Sequence, residues 1–146
     1  MIEPVEFRVD GLPRTQGSKV GGVTKGGKSF VRESNPQGLA AWRAAVRTEA
    51  QRAMAGRPLL GADGLALRLV CLFSLPRPVS RPRKHHYPDK KPDLSKLVRA
   101  AEDALKGIVW RDDSQVCDQV ARKRYADDRG GSMRPGVDIR ITEIVE

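Results

Sequence analysis

"KPDLSKLVRAAEDALKGIVWRDDSQV", Lys91 to Val116, is the stretch on which the fold turns. At about 100° per residue, Leu94, Leu97, Val98, Ala101, Ala104 and Leu105 fall on one side of a helix. Ser95, Lys96, Arg99, Glu102, Asp103 and Lys106 fall on the other. The spacing predicts an amphipathic helix over about 94–106 that lays its apolar side on a sheet. Gly107 ends it, and Gly107-Ile108-Val109-Trp110 turns the chain back toward an acidic pair, Asp112-Asp113.

Strand patterns lie on both sides of this helix. Residues 65–75, LALRLVCLFSL, are apolar enough for a central strand. Residues 76–92 are rich in proline and basic residues and read as an exposed loop. Strands are expected at 116–125 and 137–144, and PVEFRV at 4–9 alternates as another. Residues 18–32 read as a basic hairpin with Lys25-Gly26-Gly27 at its tip. Asn35-Pro36 then opens a helix to about Met54, with Leu39, Trp42, Val46, Ala50 and Met54 on one stripe and Gly56 closing it. The order β, ββ, α, β, loop, α, β, β predicts a small single-domain α+β fold over 1–146. Its sheet is mixed or largely antiparallel and packed by two main helices.

The chain has 146 residues, 39% of them apolar, which suits one modest core. No apolar run is long enough to span a membrane. The start, MIEPVEFRVD, lacks the apolar segment of a signal peptide. Cys71 and Cys117 have neither CxxC nor zinc spacing and read as reduced core thiols of a cytoplasmic protein. Net charge is +9. Between Arg77 and Arg99, eight Lys or Arg against Asp89 and Asp93 give +6, so two-thirds of the net charge sits there. Such concentration suits a polyanion, most often nucleic acid. The lysines and arginines expected to face it are Lys25, Lys28, Arg81, Arg83, Lys84, Lys90, Lys91 and Lys96, with Lys19 and Arg32 also on the hairpin.

GVTKGGKS, Gly22 to Ser29, matches the phosphate-loop pattern but not its context. That loop works only between a buried strand and a helix, whose N-terminus holds the phosphates. No helix can begin directly after Lys28, so no nucleotide cofactor is expected. His85 and His86 are adjacent and need not converge on one metal. They read as phosphate contacts or plain exposure. Trp110 reads as a core or interface anchor.

The acids inside this basic region have two readings. Asp93 sits where an acid can cap the helix amides, and capping alone would explain it. Asp103, about 15 Å farther along the axis, cannot share an ion with Asp93. It is expected to pair with Arg99 at i, i+4. Asp112 and Asp113 are the candidates to join Asp93 around a hard cation, Mg²⁺ or Mn²⁺. A carboxylate cluster beside a basic groove is what metal-assisted phosphodiester hydrolysis requires.

"PDLSKLVRAAEDAL" followed by "GIVWRDDSQV" resembles the RusA-type Holliday junction resolvases of bacteria and their phages and prophages. The resemblance is strong over 91–118 and compatible over the first strand, the hairpin and the Trp42 helix. The family pattern is Asp-Leu-Asp-Asn-Leu with a basic residue two positions on, then Asp-Asp-x-Gln-Val. It implies metal-binding acids at Asp93 and Asp113, with Ser95 where the family has its middle acid. Arg99 stands at the catalytic lysine position. The resemblance further implies a homodimer, a bacterial or phage-infected cell, and paired nicks in branched DNA. A serine is a weaker ligand than a carboxylate, and Asp112, Asp89, Asp118 or water would have to compensate. Arg99 can neutralise a phosphate but is not readily deprotonated as a lysine would be. The rival expectation is a four-way-junction-binding protein with little or no nuclease activity. An RNA-binding module explains the charge but gives no reason for Asp93 with Asp112-Asp113. Aromatics at 5% do not supply a single-strand stacking platform.

Overall fold

The computed structural model describes residues 3–127 and 132–146. Its elements follow the expected order: β1 (Val5–Asp10), β2 (Lys19–Val23), β3 (Ser29–Glu33), α1 (Pro36–Met54), β4 (Leu67–Leu75), α2 (Leu94–Leu105), β5 (Val116–Tyr125) and β6 (Gly136–Glu143). A mixed four-stranded sheet runs β1-β6-β4-β5, with β2 and β3 apart as a two-stranded hairpin. β6 pairs antiparallel with β1 and β4, whereas β4 and β5 are parallel. A parallel pair needs a crossover, and α2 is that crossover.

Period-two alternation sends Leu67, Leu69, Cys71 and Phe73 of β4 inward with Val137, Ile139 and Ile141 of β6. Both helices join this core. The buried residues of α1 are the stripe Leu39, Trp42, Val46, Ala50 and Met54. α2 buries Leu97, Val98, Ala100, Ala101, Ala104 and Leu105. Each large side chain so placed contributes about 1.5–3 kcal/mol of burial. Asn35 Oδ1 accepts from Gly38 N and caps α1. The residue at that helix's left-handed end is Ala55, with Gly56 following it. α2 stops at Lys106, and Gly107 takes φ 84°, the left-handed turn that glycine adopts without steric cost. No helix among the described residues is long and apolar enough to cross a membrane.

Two expectations are corrected. Cys71 is a core thiol, but Cys117 is exposed. The shift in register near Leu67/Arg68 falls opposite Val116 and Asp118, at the start of an edge strand, so Cys117 has no inward place to occupy. Burial pushes the Cys71 thiol up to about 12, with a smaller push from Glu102. We therefore expect an aromatic disulfide reagent to titrate one thiol in the folded protein and both after denaturation. Two fast thiols in the native state would contradict the buried Cys71. The second correction is Asp103, which pairs with Arg43 of α1 at 2.7 Å rather than with Arg99. α1 packs beside α2, and its guanidinium offers a tertiary partner where the helix offered a local one.

Candidate active site

Asp93 occupies the N-cap position of α2 in extended backbone, yet its side chain makes no capping hydrogen bond. Its carbonyl accepts from Leu97 N. The carboxylate is half exposed, with Lys96 Nζ 3.6 Å away. Capping, sufficient in principle, is not what this acid does. Ser95 and Arg99 are exposed on the next turns of the same helix. Arg99 lies against the segment that leads into the hairpin. A Cβ on Gly17 would sit 2.9 Å from a guanidinium nitrogen of Arg99, and Gly17 takes φ 93°. Glycine suits the positive φ of this turn, and a Cβ there would also push the Arg99 side chain aside. Gln16 N donates to Lys96 O at 3.1 Å, and Glu33 accepts from Gly17 N and Lys19 Nζ. These bonds fix the base of the basic hairpin to the N-terminal half of α2. The GVTKGGKS segment is β2, a turn and β3, and strand rather than helix follows Lys28.

Loop 76–92 is irregular but tied down. Arg77 reaches Asp127 at 3.2 Å, donates to the carbonyls of Pro82 and His85, and stacks 4.2 Å from the Tyr125 ring. Arg81 donates to Asp89 at 2.9 Å and is mostly covered. Lys123 Nζ donates to Lys90 O and Pro92 O, both at 2.8 Å, and so locks the approach to Asp93. Lys84, Lys90 and Lys91, together with Lys25 and Lys28 on the hairpin, are exposed. Arg83 is also exposed, 3.7 Å from Asp127. Lys96 is half-buried beside Asp93. Arg81 thus helps organise the loop, while the others present charge.

The acidic pair has a different architecture. Asp112 Oδ1 accepts from Ser114 N and caps a 3-10 turn over Asp113–Gln115. Those bonds, with Lys106 and Arg111 nearby, hold its carboxyl below the ordinary range. Gln115 Oε1 accepts from Arg111 N and Asp112 N and closes the box. Asp113 is aimed by Trp110: the indole is fully buried, and its Nε1 donates to Asp113 Oδ1 at 2.8 Å. The tryptophan is a core anchor that also orients an acid.

Asp93 and the pair are not brought together in one chain. α2 runs antiparallel to β5, because Lys123 touches Pro92 while Gln119 donates to Glu102 at 2.7 Å. Asp93 stands at one end of this twelve-residue helix and Asp113 past the other. The ends are roughly 18 Å apart. The donors suit a hard cation in kind, carboxylate and hydroxyl oxygens. Among the described residues, however, no group of three or more His, Cys, Asp or Glu converges in a metal-holding arrangement. Asp89 and Asp118, the acids expected to compensate for the serine at position 95, pair instead with Arg81 and Arg68.

The helix wheel puts Glu102 on the solvent side, and it is the acid that sequence reasoning misses. It is half-buried against Gln119, and burial raises its carboxyl, with the nearby Asp113 charge adding to the effect. A wheel places it facing out, and only the position of β5 shows that it is covered. A raised folded-state value means that stability is fullest below the unfolded carboxylate range and falls as pH rises through the folded value. Glu102→Gln is therefore expected to raise the melting temperature near neutral pH and to leave it unchanged in strong acid. Equal shifts at both pH values would contradict the assignment.

The endodeoxyribonuclease RusA family model matches residues 13–142. The uncharacterized protein YqaN of Bacillus subtilis (strain 168) is 26% identical over 151 residues, covering 98% of this chain and 99% of that protein. The family match runs from the segment before the hairpin, through both helices and the acidic turn, into β6. The chain belongs to the RusA family, endodeoxyribonucleases of the Holliday junction resolvase type.

Proposed function

We propose that residues 1–146 form one nuclease domain that acts as a homodimer. It would resolve four-way DNA junctions by paired symmetric nicks, with Mg²⁺ as cofactor and Mn²⁺ able to substitute. The observation that carries this reading is Asp93, an acid at an N-cap that does not cap, placed where the basic loop meets α2. Asp93 and Asp113 would hold the ion, with Ser95 joining directly or through water. Because they lie at opposite ends of α2, the homodimer would have to set one chain's Asp93 against its partner's 112–115 turn. Asp112 supports the site by capping the turn that carries Asp113. When bound, the ion supplies an activated water and charge neutralisation at the leaving oxygen. Trp110 aims Asp113, and Arg99 neutralises charge at the scissile phosphate. Lys25, Lys28, Arg83, Lys84, Lys90, Lys91 and Lys96 hold the junction arms, and Arg81 keeps the loop in shape.

Ser95 favours a second reading, a junction-binding protein with little or no nuclease activity. Cleavage of a labelled four-way junction in Mg²⁺ separates the two. We expect paired symmetric nicks that are lost in Asp113→Asn and absent on linear duplex. Tight junction binding without cleavage, in Mg²⁺ and again in Mn²⁺, would overturn the nuclease reading.

A further inference from the structure

A pocket of about 550 Å³ opens between the 12–15 segment, the end of β4 and loop 76–92. Its walls include Leu12, Pro13, Leu75, Pro76, Pro88 and Tyr125. Arg14, Arg81, Lys90 and Lys91 also line it. Pro92, the residue before Asp93, belongs to the same lining. The pocket therefore adjoins the candidate active site without being made of its ligands. It is also held open. Lys123 fixes the carbonyls of Lys90 and Pro92, and Arg77 covers one face of Tyr125. Arg81 Nε is buried there without a hydrogen-bond partner among the described residues.

We infer that this pocket takes one nucleotide of the DNA strand, unstacked beside the branch point, and so helps to set where the nuclease cuts. The inference rests on the nuclease reading above. A phosphate alone would need only the polar side, Arg14, Thr15, Ser34, Asn35 and the lysines, whereas proline rings, Leu12 and Leu75 make up most of the rest of the wall. That apolar part offers a base van der Waals contact with proline rings and aliphatic chains rather than aromatic stacking. The volume lies within the range of small-ligand sites. The lining cations suit the phosphates that flank the base. Unstacking a base costs a few kcal/mol in duplex and least where pairing is already broken. The pocket would thus favour branched over continuous DNA.

The test uses the full-length protein and four-way junctions carrying 2-aminopurine at single positions around the crossover, without divalent ion so that no strand is cut. Junction binding is read by anisotropy on the same samples. All fluorescence is taken at saturating protein and excited beyond the tryptophan band. We expect one position to brighten several-fold with wild type and little change on linear duplex. Ser80→Trp, which fills the pocket from an exposed lining residue, is expected to abolish most of that rise while still forming the complex. Ser80→Ala is expected to keep it. Junction binding and Mg²⁺-dependent cleavage with no position brightening would overturn the pocket alone. Brightening that survives unchanged in Ser80→Trp would do the same. No junction binding by folded wild type would overturn the nuclease reading and the pocket with it.

Discussion

Asp93→Asn and Asp113→Asn are each expected to lose junction cleavage roughly a thousandfold, and an equal mixture of the two is expected to recover about a quarter of the wild-type nicks. The single losses follow from removing one of two carboxylates where several kcal/mol of charge stabilisation is at stake. The recovery follows from the geometry. One ion takes its ligands at about 2.0–2.1 Å, and the two acids of a single chain stand at opposite ends of α2. In a two-fold dimer, if one chain's Asp93 meets the other's Asp113, the reverse contact also exists. A mixed dimer then holds one doubly substituted site and one intact site. Statistical exchange makes half the dimers mixed, each with one working site. Those dimers should nick one strand of a junction instead of two opposed strands. If differently tagged subunits co-purify as mixed dimers and cleavage stays at the level of the single variants, the shared site is wrong.

That separation was not legible in the sequence, and the reason is physical. Spacing along α2 showed that Asp103 was too far from Asp93, but Asp113 follows a turn, and a turn can bring the chain back. Where it goes depends on β5 lying parallel to β4, a long-range pairing that local patterns do not carry. The same limit explains Glu102, Cys117 and Asp103. Each was assigned from its own element, and each is decided by a neighbouring one: Gln119 of β5, the irregular start of that edge strand, and Arg43 of α1. What was legible was strongly periodic or punctuated. The α1 stripe matches the buried set residue for residue, and Gly107 ends α2 where the apolar pattern stops. Loop 76–92 was legible as basic and irregular. That Arg77 and Arg81 are turned inward to hold it together was not, because composition counts charges without saying what they touch.

Ser95→Asp is expected to lower the Mg²⁺ concentration for half-maximal cleavage by about tenfold while changing the rate at saturating Mg²⁺ only a few-fold. The argument is one of ligand charge. A carboxylate at this position adds a formal negative ligand to the proposed pair Asp93 and Asp113, and ligand charge is a main determinant of affinity for a hard cation. Ser95 is exposed on the second residue of α2, near the positive end of the helix dipole. An acid there adds little strain and gains a few tenths of a kcal/mol from the dipole. Folding should therefore be unharmed, and the change should be read in metal dependence rather than stability. If the wild-type site already works, an excess of ion compensates for the missing charge and the two proteins converge at high Mg²⁺. A variant that stays orders of magnitude faster than wild type at saturating Mg²⁺ would mean that the natural serine suppresses catalysis. The chain would then be a junction binder that keeps the nuclease fold. Titrating Mg²⁺ against single-turnover cleavage for both proteins distinguishes these outcomes, because affinity moves the midpoint and catalytic competence moves the plateau.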